Sequence, residues 1–137
     1  GMRISASDWD DAGWTIDDSV IFARKLKQLG CDFVDCSSGG NSPNRPPVGP
    51  GFPGYQLPFS EQVRNESDIP TIAVGMLRDY HLAEEAISNG KTDLIALGRG
   101  MLYDSRWAWH AAHELGGKAS YPNQYARSEP EKWPKAF

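Results

Sequence analysis

The chain has 137 residues, 39% hydrophobic and 23% charged, enough for one globular core and unlike a disordered segment. A formal charge of -4 leaves no basic surplus for nucleic acid or an anionic membrane surface, and no apolar run approaches the roughly 20 residues that span a bilayer. Two cysteines, Cys31 and Cys36, supply neither a disulfide framework nor a four-thiolate zinc site, and nothing at the start reads as a signal peptide. The expected setting is a reducing cytoplasm.

Gly1 ahead of Met2 reads as a residue left by tag removal. Met2 runs straight into a strand in which Ile4 and Ala6 alternate with polar neighbours, so the chain is expected to be part of a larger architecture. Residues 8–14 form an acidic turn. A helix follows, with Ile16, Val20, Ile21, Phe22, Leu26 and Leu29 at helical spacing, Thr15 or Asp17 as its cap, and Gly30 as its stop. Residues 31–36 read as a second strand, closing on Ser37-Ser38-Gly39-Gly40.

Residues 39–58 hold six prolines and five glycines and show no helical or strand period. A loop of that length within a compact domain is more often functional than idle. A short helix is expected at 59–65 and an apolar, buried parallel strand at 71–75. A clear helix at 79–89 has Leu82, Ala83, Ala86 and Ile87 on one face and stops at Gly90. Residues 93–97 read as a fourth strand, ending on Gly98-Arg99-Gly100. A last helix is expected from about 105 to 115, followed by an extended polar tail over 117–137. Four strand-then-helix units predict an α/β fold with a parallel sheet whose apolar strands need cover on both faces.

In such folds ligands gather beyond the C-terminal ends of the strands. Ser37-Ser38-Gly39-Gly40, Gly75-Met76 and Gly98-Arg99-Gly100 each stand at such an end. Glycine admits a ligand to the backbone, and the planar donor fork of Arg99 suits a phosphate. Any one of these turns serves equally well as a plain strand-to-helix turn. The three together, two of them on the last two strands, resemble the phosphate cradle at strands seven and eight of eight-fold barrels. Arg3 is a second candidate, since an arginine on a buried strand calls for an anionic partner, although its place at the chain start also suits a frayed residue in solvent.

The remaining polar clusters read as structural. His81, His110 and His113 lie on helices without a carboxylate-rich metal motif, and no metal is expected. Cys31 and Cys36, at opposite ends of one strand, cannot pair within it. Asp8, Asp10, Asp11, Asp17 and Asp18 lack the ligand spacing of a calcium loop.

Six ordered motifs carry a resemblance. They are Arg3-Ile4-Ser5-Ala6-Ser7-Asp8, Asp35-Cys36-Ser37-Ser38-Gly39, Phe52-Pro53-Gly54-Tyr55-Gln56, Ala73-Val74-Gly75-Met76, Asp93-Leu94-Ile95-Ala96-Leu97-Gly98-Arg99 and Gln124-Tyr125-Ala126-Arg127. Together they resemble the C-terminal half of the Old Yellow Enzyme flavoproteins, most of all the bacterial NADPH dehydrogenase and xenobiotic reductase branch. The resemblance implies strands five to eight of a TIM (β/α)8 barrel, a half-barrel over residues 2–116. It implies FMN as cofactor, NADPH as reductant, and hydride transfer through flavin N5 to an activated alkene, a small-molecule substrate.

By the same motifs Arg3 resembles the arginine at the flavin N1–C2 edge, and Ser37 or Ser38 lies near the ribityl chain. Gly75, Met76, Gly98 and Arg99 resemble the phosphate site. Tyr125 and Arg127 resemble a segment that reaches a neighbouring subunit's active site. The family's catalytic tyrosine and its substrate-gripping His-His or His-Asn pair have no match here, so the chain alone is expected to be inactive. No role transfers to Asn44, Arg45, Pro46 and Pro47.

Two alternatives stand beside that reading. One is a non-catalytic half-barrel that forms a homo-oligomer or complements a separate N-terminal half. The other is an unrelated phosphate-binding barrel enzyme. The latter class commonly uses a strand-end lysine, and Lys91, which precedes the fourth strand, stands at the wrong end.

Overall fold

The computed structural model describes residues 1–42 and 51–134. The middle of the long loop, with Asn44, Arg45, Pro46 and Pro47, lies outside the described residues. Contacts divide the chain into two units, Gly1–Gly98 and Arg99–Phe137.

In the first unit β1 (Met2–Ser5), β2 (Val34–Ser37), β3 (Thr71–Val74) and β4 (Leu94–Ala96) alternate with α1 (Ile16–Gln28), α2 (Leu57–Ser67) and α3 (Tyr80–Ser88). Local chemistry sets the helix starts. Of the two cap candidates for α1, Thr15 does the work: its Oγ1 accepts from the Asp18 amide at 3.3 Å, while Asp18 Oδ2 accepts from the Thr15 amide at 3.0 Å. Hydrogen bonding by Thr15 holds the Asp18 carboxyl below its ordinary range. Asp79 caps α3 through the Leu82 amide at 2.8 Å. Helix α2 begins at Leu57, earlier than expected, because Pro58 fits the first turn, where its missing N–H has no partner to lose.

The sheet runs β1-β2-β3-β4, with every pair parallel. Alternation then sorts its residues onto two faces. Ile4, Val34, Cys36, Thr71 and Ala73 are buried against the helices with Val20, Ala23, Val63, Ile69 and Ala86. Arg3, Ser5, Asp35, Ser37, Ile72, Val74, Leu94 and Ala96 lie on the opposite face, which these helices leave bare; Leu94 is 56% exposed. The expected cover on both faces is therefore present on one. Strand order explains this, because crossovers of one hand between successive neighbours place every helix on the same side. A doubly wound sheet reverses its order to fill both sides, whereas a barrel does not.

The inward stripes are narrower than the apolar spacing suggests. Ile21 and Leu29 are 65% and 73% exposed, and Ile87 is 42% exposed. Each directly follows an inward residue or the helix end, about 100° off the stripe of a 3.6-residue helix. Small residues, Ala23, Ala83 and Ala86, take the inward places and let the helices lie close to the strands.

The second unit holds α4 (Arg99–Tyr103) and α5 (Trp107–Glu114), then two 3-10 turns at Asn123–Ser128 and Pro130–Lys132. Helix α4 replaces an expected turn, and the tail is turned where an extended run was expected. Arg106 is clasped by rings, 4.6 Å from the Trp109 centroid and 4.2 Å from that of Tyr125.

Burial ranks the isoleucines for mutation. Ile69→Ala, at a fully buried site, is expected to cost roughly 3 kcal/mol in urea unfolding. Ile87→Ala is expected to cost less than about 0.5 kcal/mol.

Candidate functional site

Every strand of a parallel sheet ends at the same rim, and the bare face of this one carries its charge on the second residues of β1 and β2. Arg3 and Asp35 are register partners on β1 and β2, as are Ser5 and Ser37. Arg3 does not stand straight out from its own register position. Its Nε donates to Ser37 Oγ at 3.3 Å, two residues further along β2, so the side chain leans toward the C-terminal rim. Its Nη1 lies 3.7 Å from Asp35 Oδ2. The Arg3 side chain is 61% exposed, while that of Asp35 is 18% exposed. Asp35 Oδ1 is buried with no hydrogen-bond partner among the described residues. Burial raises the Asp35 carboxyl above the ordinary aspartate value, and the Arg3 charge offsets only part of that.

Both serines expected near a ribityl chain have committed their protons. Ser37 Oγ donates to the Ile4 carbonyl at 2.9 Å, and Ser38 Oγ donates to Gln56 Oε1 at 2.6 Å. What they retain for a ligand is lone pairs, suited to hydroxyl donors. Gln56 is the residue that pattern reading passes over. It is 3% exposed, and its Nε2 donates to the Val74 carbonyl at 2.7 Å, tying the end of β2 to the end of β3. The one available signal was a glutamine in an otherwise small and aromatic run, Phe52-Pro53-Gly54-Tyr55-Gln56.

The Gly75 turn is tight and specific. Its φ is +128°, and a Cβ there would sit 2.9 Å from Gln56 Nε2 and 3.1 Å from Tyr55 Cε1. Met76 follows at φ 55°, a left-handed conformation that costs about 1 kcal/mol or more outside glycine, and the residue is 49% exposed. At Gly98, among the described residues other than its chain neighbours, no heavy atom lies within 4 Å of where a Cβ would be, which leaves the backbone open to close approach. Gly98 closes the first unit and Arg99 opens the second; both are exposed.

In the second unit Tyr125 packs under Arg106, Arg127 is exposed, and a cavity of about 220 Å³ is walled largely by Trp109, Tyr121, Tyr125 and Trp133. His110 Nδ1 lies 2.8 Å from Asp104 Oδ2, so this histidine is paired and not merely solvated. Among the described residues, no three His, Cys, Asp or Glu side chains converge as metal ligands. Burial pushes the Cys36 thiol up to about 12, which leaves it protonated and unreactive. No described helix is long and apolar enough to cross a membrane.

One-sided helical cover and four sequential parallel strands define an arc of a (β/α) barrel. The family model for the NADH:flavin oxidoreductase / NADH oxidase family matches residues 1–117, and the chain belongs to that family. It is 46% identical over 126 residues to the NADPH dehydrogenase of Geobacillus thermodenitrificans, a match covering 92% of this chain and 36% of that protein. With the NADPH dehydrogenase of Bacillus subtilis the identity is 44% over the same shares. The chain thus spans about a third of the length of the curated relatives it matches.

Asp35 makes stability depend on pH. Its folded value is raised, so the folded state holds that proton more tightly than the unfolded chain. Its contribution therefore falls as pH rises from the ordinary aspartate value upward. Asp35→Asn is expected to melt above the parent at pH 7, with the gap closing as the pH is lowered to about 3. Thermal denaturation across that range measures it.

Proposed function

We infer that this chain is the flavin-phosphate and N1-edge part of an FMN-dependent, NADPH-oxidising barrel enzyme, corresponding to strands five to eight. The observation that carries the reading is Arg3, leaning along β2 to the rim with N–H groups to spare, beside strand ends opened by Gly75 and Gly98. These residues fit the group. A guanidinium matches the flavin edge that gains negative charge on reduction, and bare backbone at the rim admits a phosphate. When bound, FMN supplies hydride transfer between a nicotinamide and an acceptor, here proposed to be an activated alkene.

The chain's own residues bind and orient. Arg3 holds a fixed positive charge against the N1–C2 edge. Ser37 and Ser38 offer acceptor lone pairs to ribityl hydroxyls. Gly75, Met76, Gly98 and Arg99 receive the phosphate, and Tyr125 and Arg127 are proposed to serve the substrate site of an adjoining subunit. By the family resemblance the groups that grip the substrate lie outside this chain, so no steady NADPH oxidation is expected from it alone.

The test is titration with FMN and with riboflavin, which lacks the phosphate, followed by flavin fluorescence. Arg99→Ala is expected to weaken FMN about tenfold and leave riboflavin unchanged, whereas Arg3→Ala weakens both. Equal affinity of the parent chain for the two flavins overturns the phosphate assignment.

A second reading concerns partners. The bare face exposes Leu94, and β1 and β4 have unpaired edges within the sheet, which favours pairing with another copy or with a complementary half-barrel. Light scattering at micromolar concentration is expected to show a dimer or larger; a clean monomer contradicts it.

A further inference from the structure

We propose that Asp35 is a positioning residue, whose carboxylate works with the Ser37 hydroxyl to hold the Arg3 guanidinium toward the C-terminal rim of the bare face, presenting its remaining N–H groups to an anionic edge of a bound ligand. This rests on the reading of that face as the flavin side, and it assigns a task to a residue that the family motifs leave without one.

Three observations converge on it. First, direction: Arg3 is paired in register with Asp35 but bonds to Ser37, two residues nearer the rim. An arginine held only by solvent has no reason to lie along the neighbouring strand. Second, the acceptor is preset. Ser37 gives its proton to the Ile4 carbonyl, which leaves a lone pair facing the Arg3 Nε–H. Third, Asp35 is placed at a cost. Oδ1 is buried without a partner among the described residues, and Oδ2 lies 3.7 Å from Arg3 Nη1, an ion pair too long for a good hydrogen bond. Such a carboxylate contributes little to folding. What it does contribute is a field that draws the guanidinium to one side.

The geometry also leaves the guanidinium available. Nε is taken by Ser37 and Nη1 faces Asp35, while Nη2 makes no hydrogen bond among the described residues. The other residues of the face, Ser5, Ile72, Val74, Leu94 and Ala96, carry no charge, so Arg3 and Asp35 are its charged pair. The buried side beneath them is uncharged as well, with Ile4, Val34, Cys36 and Ala73.

The experiment uses the 137-residue chain with 15N-labelled arginine and no flavin, so that it does not depend on binding. The Arg3 Nε–H cross-peak is expected to stand apart from those of solvent-exposed arginines and to exchange slowly with water. In Asp35→Asn it collapses toward the free-arginine position, although backbone amide spectra stay superimposable and the melting temperature does not fall. Asp35→Glu, which keeps the charge, restores it in part. The pH at which the peak moves in the parent is expected above the ordinary aspartate range, a signature that loss of packing alone does not produce.

An Arg3 peak unchanged in Asp35→Asn overturns the proposal. Flavin titration separates the two layers. If Arg3→Ala leaves riboflavin affinity unaltered while the Arg3 peak still depends on Asp35, the positioning stands and the flavin reading fails. If both mutations weaken flavin and the double variant is no weaker than Arg3→Ala, both stand.

Discussion

The handedness of strand crossovers is the constraint on which the rest depends. With strands in the order β1-β2-β3-β4 and every pair parallel, each connecting helix must return on the same side. One face therefore receives the core of Ile4, Val34, Cys36, Ala73 and the small helix residues, and the other receives none of it. The same rule brings all four strand ends to one edge. Ser37, Ser38, Gly75 and Gly98, up to 61 positions apart in the chain, become neighbours along a rim without any direct bond asking for it.

That division frees the bare face from the demands of folding and changes what a charged residue there means. On the covered face an unpaired carboxylate would be ruinous; on the bare face Asp35 is tolerated with one orphan oxygen and a raised pKa, balanced against a half-exposed arginine. Met76 in a left-handed conformation and the crowded Gly75 turn belong to the rim, and a further left-handed residue, Asp68 at φ 51°, closes α2.

Much of the architecture is legible in the residues alone. Helical spacing at 16–29 and 79–89, glycine stops at Gly30 and Gly90, and the apolar run after Pro70 mark three of the units correctly. Periodicity misassigns Ile21, Leu29 and Ile87 and overlooks Ala23 on α1, while on α3 it places Ala83 and Ala86 correctly on the inward face. Helix α4 escapes because Gly98-Arg99-Gly100 has turn chemistry. For the site, the motifs name Arg3, Ser37, Ser38 and Gly75, but pairwise facts are invisible to them. No pattern says that Arg3 reaches past its own register partner, or that Gln56 holds two strand ends with a single amide.

That amide has an evolutionary corollary. Because Gln56 satisfies the Ser38 hydroxyl with one atom and the Val74 carbonyl with the other, neither Gln56 nor Ser38 can change chemistry alone without stranding a buried polar group. The two positions, 18 residues apart, are bound to a shared history. Across descendants of this fold they should be exchanged as a pair or not at all, and the peptide at Val74 acts as the silent third party to every such exchange.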